Sequence, residues 1–264
     1  MRYIQSRDHP LCREVARIQR AGGAIRRERR AVIEGEHLVE ACLHSAPGQV
    51  EVILLRGQPP PPLPWASEER GVCLSPMVYD RLSLLATPPT MMALVRWNAP
   101  VGLSRQGFVL AIDAVQDPGN VGTLIRTAAA AGVDEVWVDT ASASAWSSKT
   151  LRSAQGAHWQ VRVADGVDLP IAIQSFAGRR WALLPGPRRG LSATWLDEVA
   201  SEERYAADKV VIASNEGGGL SAQLWPLIDR ALMIPMAAGV ESLNVSVAAG
   251  IALYALRPEA LGKR

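Results

Sequence analysis

The chain has 264 residues, 48% of them apolar, which supplies a large core and argues against a disordered chain. At roughly 100–200 residues per domain this length suits two domains. The net charge is only +2, but residues 1–30 hold nine arginines against three acids, so the basic character is concentrated at one end.

Residues 10–30 place Leu11, Val15, Ile18 and Ile25 at helical spacing, which predicts a helix with an Arg-rich outer face, interrupted at Gly22-Gly23. Residues 31–43 read as a short strand, a turn at Glu34-Gly35 and a helix. Residues 50–55 read as a strand, and the run Pro59–Pro62 as a surface loop that is neither helix nor central strand. A short helix over 78–85 and a strand over 91–95 follow. Residues 98–106 (NAPVGLSRQ) are polar and without periodicity, which puts a boundary between a first domain of residues 1–98 and a second of 105–264.

The second part alternates regularly. Strands are expected at 108–112, 135–138, 159–163, 181–184, 209–213 and 231–234, and helices at 119–131, 149–155, 171–176, 221–228 and 244–256. This alternation implies an α/β fold with a mostly parallel sheet covered on both faces.

Cys12, Cys42 and Cys73 stand apart with no CxxC, and His9, His37, His44 and His158 are scattered. That argues against a disulfide framework and a metal site, and points to a reducing compartment. No apolar signal-peptide core opens the chain, and the run Val245–Leu256 is too short to cross about 30 Å of hydrocarbon. A cytoplasmic protein with no membrane partner is the expectation.

Three stretches carry the chemistry. In residues 117–122 (DPGNVG), Pro118 suits a helix start and Gly119 and Gly122 allow close approach of a ligand to backbone. Arg126 lies two turns into a helix otherwise made of small and apolar residues. Its plain reading is a surface arginine, as Asn120 can be a simple cap. Residues 215–220 (NEGGGL) follow the strand VVIA, at the carboxyl end of a parallel strand, where open α/β sheets bind ligands. They form neither GxGxxG nor a GxxxxGK(S/T) loop. Residues 234–256 pack Glu241, Ser242, Asn244 and Ser246 just ahead of an apolar helix, more polar groups than one cap needs.

In this order the motifs make the chain resemble the SpoU (TrmH-like) family of RNA ribose methyltransferases in the SPOUT superfamily. The matching segments are DPGNVGTLIRTAAAAG, KTLRSAQGA at 149–157, VIASNEGGGLS, and IPMAAGVESLNVSVAAGIALY, over roughly residues 105–257. The first part resembles the family's accessory domain, a small ribosomal-protein-like α/β RNA-binding module. Its segment Pro88-Pro89-Thr90-Met91-Met92 departs from the family's usual Pro-Gln-Gly there.

The resemblance implies a parallel-sheet methyltransferase domain with a C-terminal trefoil knot. It implies transfer of a methyl group from S-adenosylmethionine to a ribose 2′-hydroxyl, with no metal. Ribosomal RNA is the favoured substrate, because compact tRNA-modifying members usually lack the accessory domain. A tRNA methylase, a resistance methylase or a non-catalytic RNA-binding protein on the same fold are the alternatives. Arg126, Asn120, Glu216, Asn244 and Ser246 would be catalytic, with Arg126 acting as base, phosphate clamp or alkoxide stabiliser. Ser214, Asn215, Gly217, Ile234, Met236, Leu243 and Asn244 would hold the cofactor. Ser214 stands where the family usually has Gly, which bears on cofactor affinity. Arg26, Arg27, Arg29 and Arg30 would meet RNA, and a homodimer would share the RNA site.

Overall fold

The computed structural model describes residues 2–20, 22–57, 70–99, 101–188, 190–215 and 217–257. The proline run 59–62 and Glu216 therefore lie outside the described residues. Among the described residues the chain opens with β1 (Arg2–Ile4), α1 (Pro10–Arg20), α2 (Gly22–Glu28), β2 (Arg30–Glu34), α3 (Glu36–Ser45), β3 (Val50–Arg56), β4 (Gly71–Leu74), α4 (Pro76–Leu82) and β5 (Met91–Arg96). These strands form one mixed sheet in the order β1-β4-β3-β5-β2. Its β5 runs antiparallel to β2 and β3. The helical spacing of α1 buries Cys12, Val15 and Ile18, as the pattern requires.

Then come β6 (Phe108–Asp113), α5 (Pro118–Ala130), β7 (Glu135–Asp139), α6 (Ser148–Ala154), β8 (Arg162–Val167), α7 (Leu169–Ser175), β9 (Arg179–Leu183), β10 (Ala193–Trp195), α8 (Ser201–Arg204), β11 (Lys209–Ser214), β12 (Arg230–Met233) and α9 (Val245–Leu256). The sheet order is β10-β12-β9-β11-β6-β7-β8, and every pair is parallel. Along β6, Phe108, Leu110 and Ile112 join the core shared with the first sheet and α5, while Val109 and Ala111 join the core under α7. Burial on both faces is why this strand reads as an unbroken apolar run.

Two expected elements differ. The strand expected over 159–163 starts later, at Arg162, and runs to Val167: Gln155 and Gly156 take left-handed φ values of 50° and 86°, and a 3₁₀ turn at Ala157–Trp159 occupies the start of the expected span. Residues 221–228 are not an α-helix. They hold only a 3₁₀ turn at Trp225–Leu227, because Pro226 lacks an N–H and Ser221 donates to Asp113 instead.

The two sheets meet through specific bonds. Arg26 donates to the fully covered side chain of Asp165 at 3.0 and 3.1 Å and to the carbonyls of Asp139, Thr140 and Ser142. Trp97 stacks on Trp146 with centroids 5.3 Å apart. His158 lies against Trp146, and its Nε2 is 2.7 Å from the Ala145 carbonyl. Burial pushes the His158 imidazole down to about 4, so the folded protein holds it neutral.

The unfolded chain binds this proton below about pH 6.5 and the folded chain only near 4. The stability from His158 is therefore fully present above about 6.5 and is lost as pH falls towards 4. A loss of up to roughly 3 kcal/mol is expected in urea unfolding at pH 4.5 against pH 7.5. In His158→Gln, whose amide can still donate to Ala145, that dependence should flatten. An equally steep loss in the variant would assign the acid sensitivity elsewhere.

Candidate active site

The carboxyl ends of β9, β11 and β12 open into a cleft of about 360 Å³. That is within the range of small-ligand sites, and it lies where parallel sheets bind ligands. One wall is the chain leaving β9, residues 183–188. The second is the chain leaving β11, with Ser214, Asn215 and residues 217–220. The third is the chain leaving β12, with Ile234, Met236, Ser242 and Leu243, and Val245 and Ala248 of α9 close it. All of the expected cofactor residues except Asn244 line this space. The Ser214 hydroxyl is half-buried at the cleft and has no hydrogen-bond partner among the described residues.

The wall at 183–188 is absent from the sequence reading. Its signal was Pro185-Gly186-Pro187 directly after a buried strand, a turn at the same edge of the sheet as the other two motifs.

Asn215 is spent on the loop itself. Its Oδ1 accepts from Gly217 N at 2.8 Å, and its Nδ2 donates to the Ala114 carbonyl at 3.0 Å. At the end of β6, Asp113 is buried and accepts two bonds from Ser221. Burial raises its carboxyl above the ordinary range, and the bonds from Ser221 oppose that shift.

Beside the cleft the first and third motifs join. Asn244 caps α9, its Oδ1 accepting from Ser246 N at 3.0 Å and Val247 N at 3.4 Å. Its Nδ2 donates to Asn120 Oδ1 at 3.2 Å. The Ser246 hydroxyl lies 2.6 Å from Asn244 Oδ1 and 3.1 Å from Asn120 Oδ1. The cap of α5 is Asp117, not Asn120: Asp117 Oδ1 accepts from Gly119 N and from Lys149 Nζ, both at 2.9 Å. The Lys149 ammonium, and then the Gly119 amide, hold the Asp117 carboxyl below its ordinary value.

Arg126 is not part of this cluster. Six residues beyond Asn120, at about 100° per residue, it stands on a different flank of α5. Its guanidinium is exposed and has no hydrogen bond or ion pair among the described residues. The α9 side of α5 is marked by Asn120 and by Thr127, whose methyl would lie 3.5 Å from a Cβ at Gly250. Gly122 faces the other way. A Cβ there would meet the Thr150 carbonyl at 2.4 Å, so this glycine admits α6 rather than a ligand.

The four arginines expected to face RNA divide. Arg26 is committed to Asp165 and three carbonyls, and Arg30 to Glu14 and Glu51. Both are intramolecular anchors, because burying a guanidinium requires its N–H groups to be matched. Arg27 and Arg29 are exposed. Arg27 still borrows Glu28, whose carboxyl Arg17 and then Arg27 pull down to about 2.

The SpoU rRNA Methylase family model matches residues 107–254, which contain all three motifs and every wall of the cleft. The 23S rRNA (guanosine(2553)-2′-O)-methyltransferase RlmP of Bacillus subtilis is 38% identical over 226 residues, covering 86% of this chain and 88% of that protein. The AdoMet-bound rRNA methyltransferase of Sinorhizobium meliloti superposes with a TM-score of 0.80 over 97% of each chain, at 19% identity. AviRb of Streptomyces viridochromogenes with AdoMet gives 0.78 over 96% of this chain and 98% of its own, at 20% identity. The last two likenesses speak to the fold, while the family match and the similarity to RlmP speak to descent, and on those two grounds the chain belongs to the SpoU rRNA methylase family.

Proposed function

We propose that the protein transfers a methyl group from S-adenosylmethionine to a ribose 2′-hydroxyl of ribosomal RNA. The observation that carries this reading is the adjacency of two features. The cleft at the strand ends has the size and mixed apolar and backbone lining that a nucleoside carrying a sulfonium side chain needs. The polar trio Asn120, Asn244 and Ser246 stands beside it. Ribosomal RNA is chosen because RlmP is a 23S rRNA methyltransferase by name and aligns over most of both chains.

Ser214, Asn215, Gly217, Ile234, Met236 and Leu243 would hold the cofactor, with Asn215 acting through the loop it shapes. The bound cofactor supplies an electrophilic methyl group on a sulfonium. The protein's part is to orient the ribose and to stabilise charge as its hydroxyl loses a proton. Asn120, Asn244 and Ser246 offer amide and hydroxyl groups already fixed to one another. Arg126 supplies positive charge: a guanidinium offers five N–H donors in a planar fork, which suits clamping a phosphate or steadying a developing alkoxide. Glu216 belongs to the same motif and lies outside the described residues.

The wider architecture is part of the proposal. Residues 1–98 form an RNA-binding domain whose exposed cations include Arg27 and Arg29, and residues 105–264 form the methyltransferase domain. The chain after β12 is proposed to pass through a trefoil knot, which would keep the loops after β11 and β12 side by side. A homodimer is supported by Val247, Ile251 and Tyr254, an exposed apolar stripe on α9 at 52%, 43% and 47% accessibility. A dimer would also give Arg126 a bonding partner, which it does not have among the described residues of one chain. The reaction is proposed to take place in the cytoplasm, with its RNA. No helix among the described residues is long and apolar enough to cross a membrane.

Calorimetric titration with S-adenosylmethionine tests this first. Binding in the micromolar range is expected, weakened in Asn244→Ala, which loses both the α9 cap and the Asn120 bond. Ser214→Gly should bind at least as tightly as the wild type. No binding by the wild type, together with none by Ser214→Gly, would sink the methyltransferase reading and leave an RNA-binding protein on this fold.

A further inference from the structure

Glycines line the cleft after β11, and a glycine backbone is the least able to hold one shape unaided. Its restraint comes from the neighbouring strand end. On one side Asn215 ties the loop to β6, with Nδ2 on the Ala114 carbonyl at 3.0 Å and its backbone N–H on the Asp113 carbonyl at 3.2 Å. On the other side Ser221 gives both of its donors to one carboxylate. Its N–H reaches Asp113 Oδ2 at 2.8 Å and its hydroxyl reaches Oδ1 at 2.5 Å.

Asp113 is only 2% exposed. A carboxylate that deep is costly unless its oxygens are bonded, and charge-assisted bonds of this kind are among the stronger ones. The anchor is itself anchored. Ala114 holds φ 54°, a left-handed conformation uncommon for a residue with a Cβ, and its N–H is fixed on Asp139 Oδ1 at 3.2 Å. The same Asp139 oxygen accepts from Ser142 N at 2.7 Å. Three adjacent strand ends, β7, β6 and β11, thus grip one loop. Residues 217–220 between the grips line the cleft, whereas Asp113 and Ser221 do not.

We infer that Asp113 is a positioning residue for cofactor binding: its buried carboxylate latches Ser221 and so holds residues 217–220 in the shape that forms the cleft wall. The inference rests on the reading of the cleft as the S-adenosylmethionine site. Ser221→Ala removes one bond and leaves Asp113 Oδ1 without its donor, while Ser221→Thr keeps both donors. Asp113→Asn gives a second perturbation from the other side.

The experiment combines calorimetric titration with S-adenosylmethionine, hydrogen exchange of the amides at 217–220, and RNA binding. For Ser221→Ala and Asp113→Asn, an increase in Kd for S-adenosylmethionine of about tenfold or more is expected, the scale of one lost hydrogen bond to a charged group. Faster exchange at 217–220 should accompany it, with RNA affinity unchanged and both effects reversed in Ser221→Thr. Cofactor affinity within about twofold of wild type and unchanged exchange in Ser221→Ala would overturn the latch. A wild type that binds no S-adenosylmethionine removes the cofactor reading and with it this role. Exchange then still decides whether Asp113 holds the loop.

Discussion

Replacing Arg126 by alanine is expected to lower single-turnover methylation of ribosomal RNA by about a hundred- to a thousandfold, the scale of losing one preorganised charge-stabilising group. The same substitution should leave S-adenosylmethionine affinity and thermal stability unchanged. The asymmetry follows from the site. Arg126 is exposed and makes no bond among the described residues, so removing it leaves no buried carboxylate orphaned and no cavity. Surface changes of that kind stay within about 0.5 kcal/mol. It also stands apart from the cleft walls, so the cofactor has no reason to sense its loss. Arg126→Lys keeps the charge but not the planar fork, and should recover only part of the rate. Methylation by Arg126→Ala within tenfold of wild type would remove the residue from the reaction. A parallel fall in melting temperature would mean it had been a structural residue after all.

The parallel sheet was readable because its strands are buried on both faces, and FVLAI and VVIA are what such strands look like in sequence. The short strands β1, β4 and β10 were not readable. Three or four residues carry no period, and their extended state is decided by the strands they pair with. The expected helix over 221–228 failed for a related reason. The spacing of Leu220, Leu224 and Ile228 mimics a helix face, but Pro226 and the bonds from Ser221 to Asp113 favour a looser path.

At the site, the residues that stood out chemically also came together where the fold could bring them. Asn120 meets Asn244 and Ser246 across more than a hundred positions of sequence. The wall at 183–188 was missed because it contributes prolines and backbone rather than a conspicuous side chain. Asp113 was missed because one carboxylate at a strand end reads as the start of a turn. Counting charge could not show that Arg26 is neutralised by Asp165, which lies 139 residues away, or that Arg30 is held between Glu14 and Glu51. An Arg-rich segment reports its net charge, and only the fold reports where the counter-charges sit.

Gly122→Ala should destabilise the protein by about 3 kcal/mol, although alanine is the better helix former by up to about 1 kcal/mol. The added Cβ would lie 2.4 Å from the Thr150 carbonyl oxygen, 2.5 Å from Ser153 Cβ and 3.0 Å from Ala154 N. Two of these are backbone atoms of α6, so no side-chain rotation relieves the overlap. The helix itself must move. It is not free to do so, because Ser148 bonds the Val32 carbonyl of the first sheet and Lys149 bonds Asp117 at the start of α5. Shifting α6 therefore strains the junction between the sheets as well as the end of α5 that carries Asn120. A melting temperature lower by roughly 6–12 °C is the expected reading for a chain of this size, with methylation falling alongside it. Gly250→Ala is the matched control. Its nearest neighbour, Thr127 Cγ2, is 3.5 Å away, ordinary van der Waals contact, so the helix preference should prevail and stability should hold or rise. If Gly122→Ala melted at or above the wild type, the close approach of α5 and α6 would not be what requires a glycine in this motif, and contact with a ligand would return as its reason.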